Sequence, residues 1–111
     1  MNLKWGVIGA GSVAQRRAMP AINKAINAEL HALMSRDEVR AKQLAETHGA
    51  SKYYTSVADL ISDTELDAVY ISTPVYMHCE PTIEAAENGL HIMCDKPMAM
   101  NVNECQRMID A

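Results

Sequence analysis

The sequence predicts an α/β fold, a Rossmann-like doubly wound parallel sheet, on three observations. A partly β-branched apolar run, Trp5-Gly6-Val7-Ile8, ends in a turn spaced by Gly9 and Gly11 and opens directly into a helical pattern. Strand-like runs then alternate with helical patterns on short connections, the order that builds parallel sheets. A second strand ends about 20 residues beyond Ala14, where such folds read a ribose.

The elements follow in chain order. Gly9 permits the tight turn, Gly11 lets the backbone approach a diphosphate, and Ala14 is small enough for the new helix to pack on its strand. The helix start offers free N–H groups and a partial positive charge to phosphates. A helix is expected from Val13 to about Asn27, kinked or restarted at Pro20. Glu29 to Ser35 reads as the second strand. Asp37 can cap the next helix, whose Ala41, Leu44, Ala45 and His48 share a face before Gly49 ends it. Lys52 to Tyr54 is a short strand, and Ser56-Val57-Ala58-Asp59 is a capping box with Asp in place of Glu, starting a helix through Ile61. Asp67 to Ser72 is apolar on both faces in its middle, as a buried parallel strand should be. After Thr73-Pro74 a helix is expected from about His78 to Asn88, with Pro81 in its first turn and Gly89 at its stop. Leu90 to Cys94 makes the fifth strand, Asp95-Lys96-Pro97 a loop, and Val102 to Ala111 a final helix.

Composition narrows the function classes. The 111 residues, 49% hydrophobic and 22% charged, suit one globular domain with a modest core. No repeat, low-complexity tract or linker divides them, so residues 1–111 read as one dinucleotide-binding domain. A net charge of -4, without a basic stripe or aromatic ladder, argues against nucleic acid or an anionic membrane as partner. With no apolar run long enough to span a bilayer and no signal-like start, the expected compartment is the cytoplasm. Cys79, Cys94 and Cys105 form no even set and no C-x-x-C pair, so reduced thiols are expected. His31, His48 and His91 read as structural, and the histidines show no metal-ligand spacing, so no metal site is expected.

Ligands bind outside the carboxyl ends of strands in open α/β sheets. The loops Gly9 to Ala14, Ser72-Thr73-Pro74 and Asp95-Lys96-Pro97 all follow strand ends and should therefore converge on one crevice. At the end of the second strand stand Ser35 and Arg36, with Arg40 one helical turn on. An acid there would favour NAD and repel a 2′-phosphate, whereas a serine hydroxyl can donate to that phosphate and arginine offers a charge-assisted fork. The residues thus favour NADP over NAD.

The segments G-V-I-G-A-G-S-V-A, D-A-V-Y-I-S-T-P with His78 four residues after Pro74, and A-A-E-N-G-L-H-I-M-C-D-K-P resemble, in order, the first domain of the Gfo/Idh/MocA oxidoreductases. The resemblance covers nearly the whole chain. It implies an NAD(P)-binding domain, with Gly9, Ala10, Gly11, Ser12 and Val13 at the pyrophosphate. It also implies that Ser72, Thr73 and Pro74 border the cofactor, with His78 and Asp95 close by. Lys96 would be the catalytic residue at the nicotinamide end, holding the substrate oxygen and passing a proton as hydride moves. Asp95 replaces the family's usual Glu before Lys-Pro, and Val75 stands where many members have Asn; a cis peptide bond is expected before Pro97.

The resemblance further implies a longer protein, with a second α/β domain that supplies a pocket for a sugar, polyol or similar small substrate. On that reading the chain stops short of the second domain and should bind cofactor without turning substrate over. Its fifth strand would lack a neighbouring sixth, an open edge that favours self-association into a homo-oligomer. Two other classes fit the same fold: a non-catalytic dinucleotide sensor, and a Rossmann-like domain for another nucleotide cofactor such as a methyl donor.

Overall fold

The computed structural model describes residues 2–11 and 13–111. Five strands, β1 (Leu3–Ile8), β2 (Ala28–Met34), β3 (Lys52–Tyr54), β4 (Ala68–Ile71) and β5 (His91–Cys94), form one sheet in the order β3-β2-β1-β4-β5. Each pairing is parallel, so the α/β fold class expected from the alternation holds.

The connection from β1 to β2 departs from the expected long helix. A π-helical turn, Ala14–Ala18, runs into the short α1 (Met19–Lys24), and Ala25 is already extended. Pro20 sits in the first turn of α1. It has no N–H to return to Arg16, and its ring crowds that carbonyl, so the chain widens upstream of it. The helix ends at Lys24, short of Asn27.

The other helices begin where their caps are. The Asp37 carboxylate accepts the amides of Val39 and Arg40 at 3.0 and 3.3 Å, starting α2 (Glu38–His48). Ser56 accepts the Asp59 amide at 3.1 Å and starts α3 (Val57–Ile61). A 3₁₀ turn, Val75–Met77, precedes α4 (Cys79–Glu87), and Asn101 caps α5 (Val102–Asp110) by accepting the Glu104 amide at 2.8 Å.

Two apolar layers cover the sheet. On one side Val7, Leu30 and Leu33 pack with Met19 of α1 and with Ala41, Leu44 and Ala45 of α2. On the other, Ile8, Ala32, Met34, Val69 and Ile71 pack with Leu60 and Ile61 of α3 and Ala85 of α4. Leu30 and Leu33 are three residues apart yet face the same layer. The β1–β2 register slips between Trp5 and Gly6, pairing Trp5 with Leu30 and Gly6 with Ala32, so His31 is the extra residue. Its buried ring meets Asp63 at 3.0 Å.

All strands run the same way, so their carboxyl ends lie at one edge of the sheet, and the loops that follow β1, β2 and β4 meet there. No helix among the described residues is long and apolar enough to cross a membrane, and the three cysteines are free thiols.

Candidate functional site

At that edge a cavity of about 370 Å³ opens between three loops. Gly9, Ala10 and Gly11 form one wall, Ser35, Arg36, Asp37 and Arg40 a second, and Ser72, Thr73 and Pro74 a third. The convergence expected of the strand-end loops is therefore met for the first two of them and for the end of β2.

Gly9 has φ +86°, and a Cβ there would stand 2.8 Å from the backbone nitrogen and Cγ2 of Thr73. Only glycine allows that backbone to press against the β4 loop. A Cβ on Gly11 would meet nothing within 4 Å, so the turn is open on its crevice side. The turn is also braced: the Gly11 amide donates to the Gly9 carbonyl at 2.8 Å. The Ala10 carbonyl accepts the Gln15 side-chain amide at 3.1 Å and an Arg40 guanidinium nitrogen at 3.3 Å. This open, rigid turn beside two guanidinium groups fits the phosphates of a dinucleotide.

On the second wall Ser35 is tied to β3 through its amide, which donates to the Tyr54 carbonyl at 3.1 Å. Arg36 reaches across the mouth, one of its guanidinium nitrogens 3.7 Å from the sulfur of Met77. Asp37 lines the cavity as well, and one of its carboxylate oxygens carries the two capping bonds of α2. Met34 and Met77 complete the lining. The sequence reading took Asp37 as a cap; the signal available for these residues was position, Met34 ending β2, Asp37 three residues beyond it and Met77 three residues after Pro74.

The remaining expected site residues stand elsewhere. Ser12 lies outside the described residues, and Val13 is exposed at the helix start without lining the cavity. His78 is buried, with Nε2 2.7 Å from the Thr73 carbonyl and Nδ1 3.0 and 3.3 Å from the carbonyls of Pro97 and Met98. Asp95 is held by the protein: one carboxylate oxygen accepts the Ser72 hydroxyl at 2.7 Å, the other the Tyr70 hydroxyl. Burial first, then the Asp95 carboxylate, push the Tyr70 phenol up to about 12. Lys96 is exposed in the loop after β5, outside the cavity lining, and the Lys96–Pro97 peptide is cis. Cys94 ends β5 half-buried against the α3–α4 layer, and burial pushes its thiol up, away from nucleophilic use.

His31, Asp63 and Glu65 bring one potential ligand atom each within 4.8 Å of one another. Those atoms have partners of their own: Tyr54 donates to Asp63 at 2.7 Å, and Lys4 and Lys52 lie 3.3 and 3.5 Å from Glu65. The group is an internal ion-pair and hydrogen-bond cluster.

Comparison with known proteins places this geometry among oxidoreductases. Residues 3–111 match the GFO/IDH/MocA profile, described as an oxidoreductase family with an NAD-binding Rossmann fold. The chain is 37% identical over 108 residues to the 1,5-anhydro-D-fructose reductase of Ensifer adhaerens, covering 97% of this chain and 32% of that protein. It is 34% identical over 108 residues to D-xylose 1-dehydrogenase (NADP(+)) 2 of Haloferax volcanii, covering 97% and 33%. The solved 3-ketoreductase KijD10 of Actinomadura kijaniata with NADP superposes with a TM-score of 0.93 at 30% identity, over 99% of this chain and 35% of that one. The chain thus spans about a third of the length of these relatives.

Proposed function

The chain belongs to the GFO/IDH/MocA oxidoreductase family, and on that premise we propose that it binds NADP(H) in preference to NAD(H). In this reading residues 1–111 are the cofactor domain of an oxidoreductase acting on a sugar, polyol or related carbonyl or hydroxyl compound, and a second domain supplies the substrate pocket. Among the relatives, NADP is named for the Haloferax dehydrogenase and is present with the Actinomadura ketoreductase.

One observation carries the cofactor choice. Ser35, Arg36 and Arg40 line the same crevice as the glycine turn, while one carboxylate oxygen of Asp37, the acid in that lining, caps α2. Two guanidinium groups and a hydroxyl suit a 2′-phosphate. Gly9, Ala10 and Gly11 would hold the diphosphate, with Ser12 and Val13, the next residues in sequence, as further contacts. Ser72, Thr73 and Pro74 would border the cofactor farther along the crevice, with His78 and Asp95 behind that wall.

The nicotinamide, when bound, supplies or takes the hydride. Lys96 would hold the substrate oxygen, giving it a proton on reduction and taking one on oxidation. The exposed position of Lys96 leaves its ammonium free for such a substrate.

The test is a fluorescence titration of this chain with NADPH and, separately, NADH, following Trp5 and the tyrosines. NADPH should bind at least about tenfold tighter, and Arg36→Ala should remove most of that margin, since a hydrogen bond to a charged group contributes about 1.5 to 3 kcal/mol. Equal affinities, or tighter NADH, overturn the preference.

A further inference from the structure

His78 lies outside the crevice lining, yet its ring touches backbone from both loops that flank it. Nε2 lies 2.7 Å from the carbonyl of Thr73, and Nδ1 lies 3.0 Å from that of Pro97 and 3.3 Å from that of Met98. The ring is 1% exposed, so water does not compete for these contacts. Thr73 is the residue whose backbone nitrogen would lie 2.8 Å from a Cβ on Gly9. Pro97 follows Lys96 directly. A continuous path of contacts therefore runs from the diphosphate turn through Thr73 and His78 to the peptide beside the lysine.

We propose that His78 is a positioning residue, whose imidazole donates from both nitrogens and so fixes the Lys96 loop against the cofactor-bearing β4 loop. Only acceptors stand at the two ends of the ring, and a carbonyl offers no proton. A ring with one N–H bonds one loop and turns a lone pair toward the other. Two N–H groups join both loops, with one hydrogen bond to the Thr73 side and one to the Pro97 and Met98 side. Lys96 has to stand at a fixed distance from the nicotinamide end of the crevice, and the neighbouring peptide is what His78 holds. The choice of Lys96 as the group being positioned rests on the function proposed above; the bridge between the loops does not.

The decisive measurement is nuclear magnetic resonance of the 15N-labelled chain, first without cofactor. The His78 ring should show a proton on each nitrogen, both exchanging slowly with water. Order parameters for Lys96 and Met98 should be near 0.85, the value of rigid backbone. His78→Gln retains a donor only on the Thr73 side, and order parameters at Lys96 and Met98 should fall below about 0.6. His78→Asn retains a donor on the Pro97 and Met98 side and should keep those residues more ordered than the Gln variant does. A His78 ring with a single N–H, or a Lys96 loop equally rigid in the parent and the Gln variant, overturns the bridge. These readouts need no ligand. Addition of NADPH then tests the link to function: the Lys96 amide should shift on binding in the parent, and at least about threefold less in His78→Gln at equal saturation. An equal shift in both overturns positioning through His78. Failure of NADPH to bind refutes the cofactor reading and, with it, the role toward Lys96, while the ring protons and order parameters still decide the bridge.

Discussion

The carboxylate of Asp95 accepts the Ser72 hydroxyl at 2.7 Å, so the residue before the lysine is fastened to the loop that borders the crevice. Its other oxygen accepts the Tyr70 hydroxyl. The short Asp side chain has both oxygens occupied by the protein, which makes it a brace between β4 and β5. Burial and this carboxylate both disfavour the Tyr70 phenolate, and its ionisation is displaced to about 12. In an ultraviolet titration, the difference between the parent and Tyr70→Phe should show a tyrosine ionising there. Asp95→Asn should lower that transition without returning it to about 10, because burial is the larger cause and remains. A transition unmoved by Asp95→Asn would remove the carboxylate as a cause.

Gly9 and Gly49 have similar backbone angles, φ +86° and +77°, but different surroundings. At Gly49 an added Cβ meets nothing within 4 Å, so Gly49→Ala bears only the left-handed backbone, about 1 kcal/mol. At Gly9 the same atom would press on the backbone of Ser72 and Thr73. Gly9→Ala should therefore cost at least about 2 kcal/mol and weaken nucleotide binding more than tenfold. Urea unfolding with a parallel titration separates the two effects. Equal losses of stability at both sites would mean that the contact with Thr73 does not matter.

Most of the fold was legible because its signals are local. Asp37, Ser56 and Gly49 mark helix ends by their own side chains or by the lack of one, and the β4 run Ala68–Ile71 is apolar on both faces. The crevice was legible at Gly9, Gly11, Ser35, Arg36 and Ser72 because strand ends converge in any parallel sheet. The rest depended on distance in three dimensions. Nothing near His78 in sequence announces Pro97 and Met98 as its partners, 19 and 20 residues away. Nothing near Asp95 announces Tyr70. The bulge at His31 was hidden because an apolar run pairs equally well in either register until its neighbour is known.

Ser35 offers the sharpest test of cofactor choice by a single substitution. It lines the crevice beside two arginines. Ser35→Asp puts a carboxylate where a 2′-phosphate would sit and gives a ribose diol an acceptor. NADPH binding should weaken by at least about tenfold and NADH binding should tighten, inverting the ratio measured in the parent. An unchanged ratio would put the 2′-position of the nucleotide away from Ser35.

If the proposed oxidoreductase function holds, Lys96→Met should lower kcat by about 10² to 10⁴, the usual contribution of a positioned acid or base. Nucleotide affinity should stay within about twofold, since Lys96 does not line the crevice. Turnover at the parental rate would remove Lys96 as the catalytic residue.

The cluster beneath the bulge predicts how the fold responds to acid. Burial alone would raise the Asp63 carboxyl, but hydrogen bonds from Tyr54 at 2.7 Å, the Glu65 amide at 3.0 Å and His31 at 3.0 Å outweigh it and hold the group below its ordinary value. A carboxyl lowered on folding contributes stability above its unfolded value, and that contribution is lost as pH falls through the folded one. Urea midpoints should therefore be flat near neutrality and drop below about pH 4. Tyr54→Phe removes the first of the lowering bonds and moves the folded value back toward the unfolded one, so the acid limb should shrink and end at a higher pH, with a loss of about 1 kcal/mol at pH 7. Asp63→Asn should cost about 1 to 3 kcal/mol at pH 7 and flatten the acid limb, because the group that titrates is gone. An acid limb unchanged in Asp63→Asn would assign the loss to other carboxylates and leave the His31 cluster a matter of packing alone.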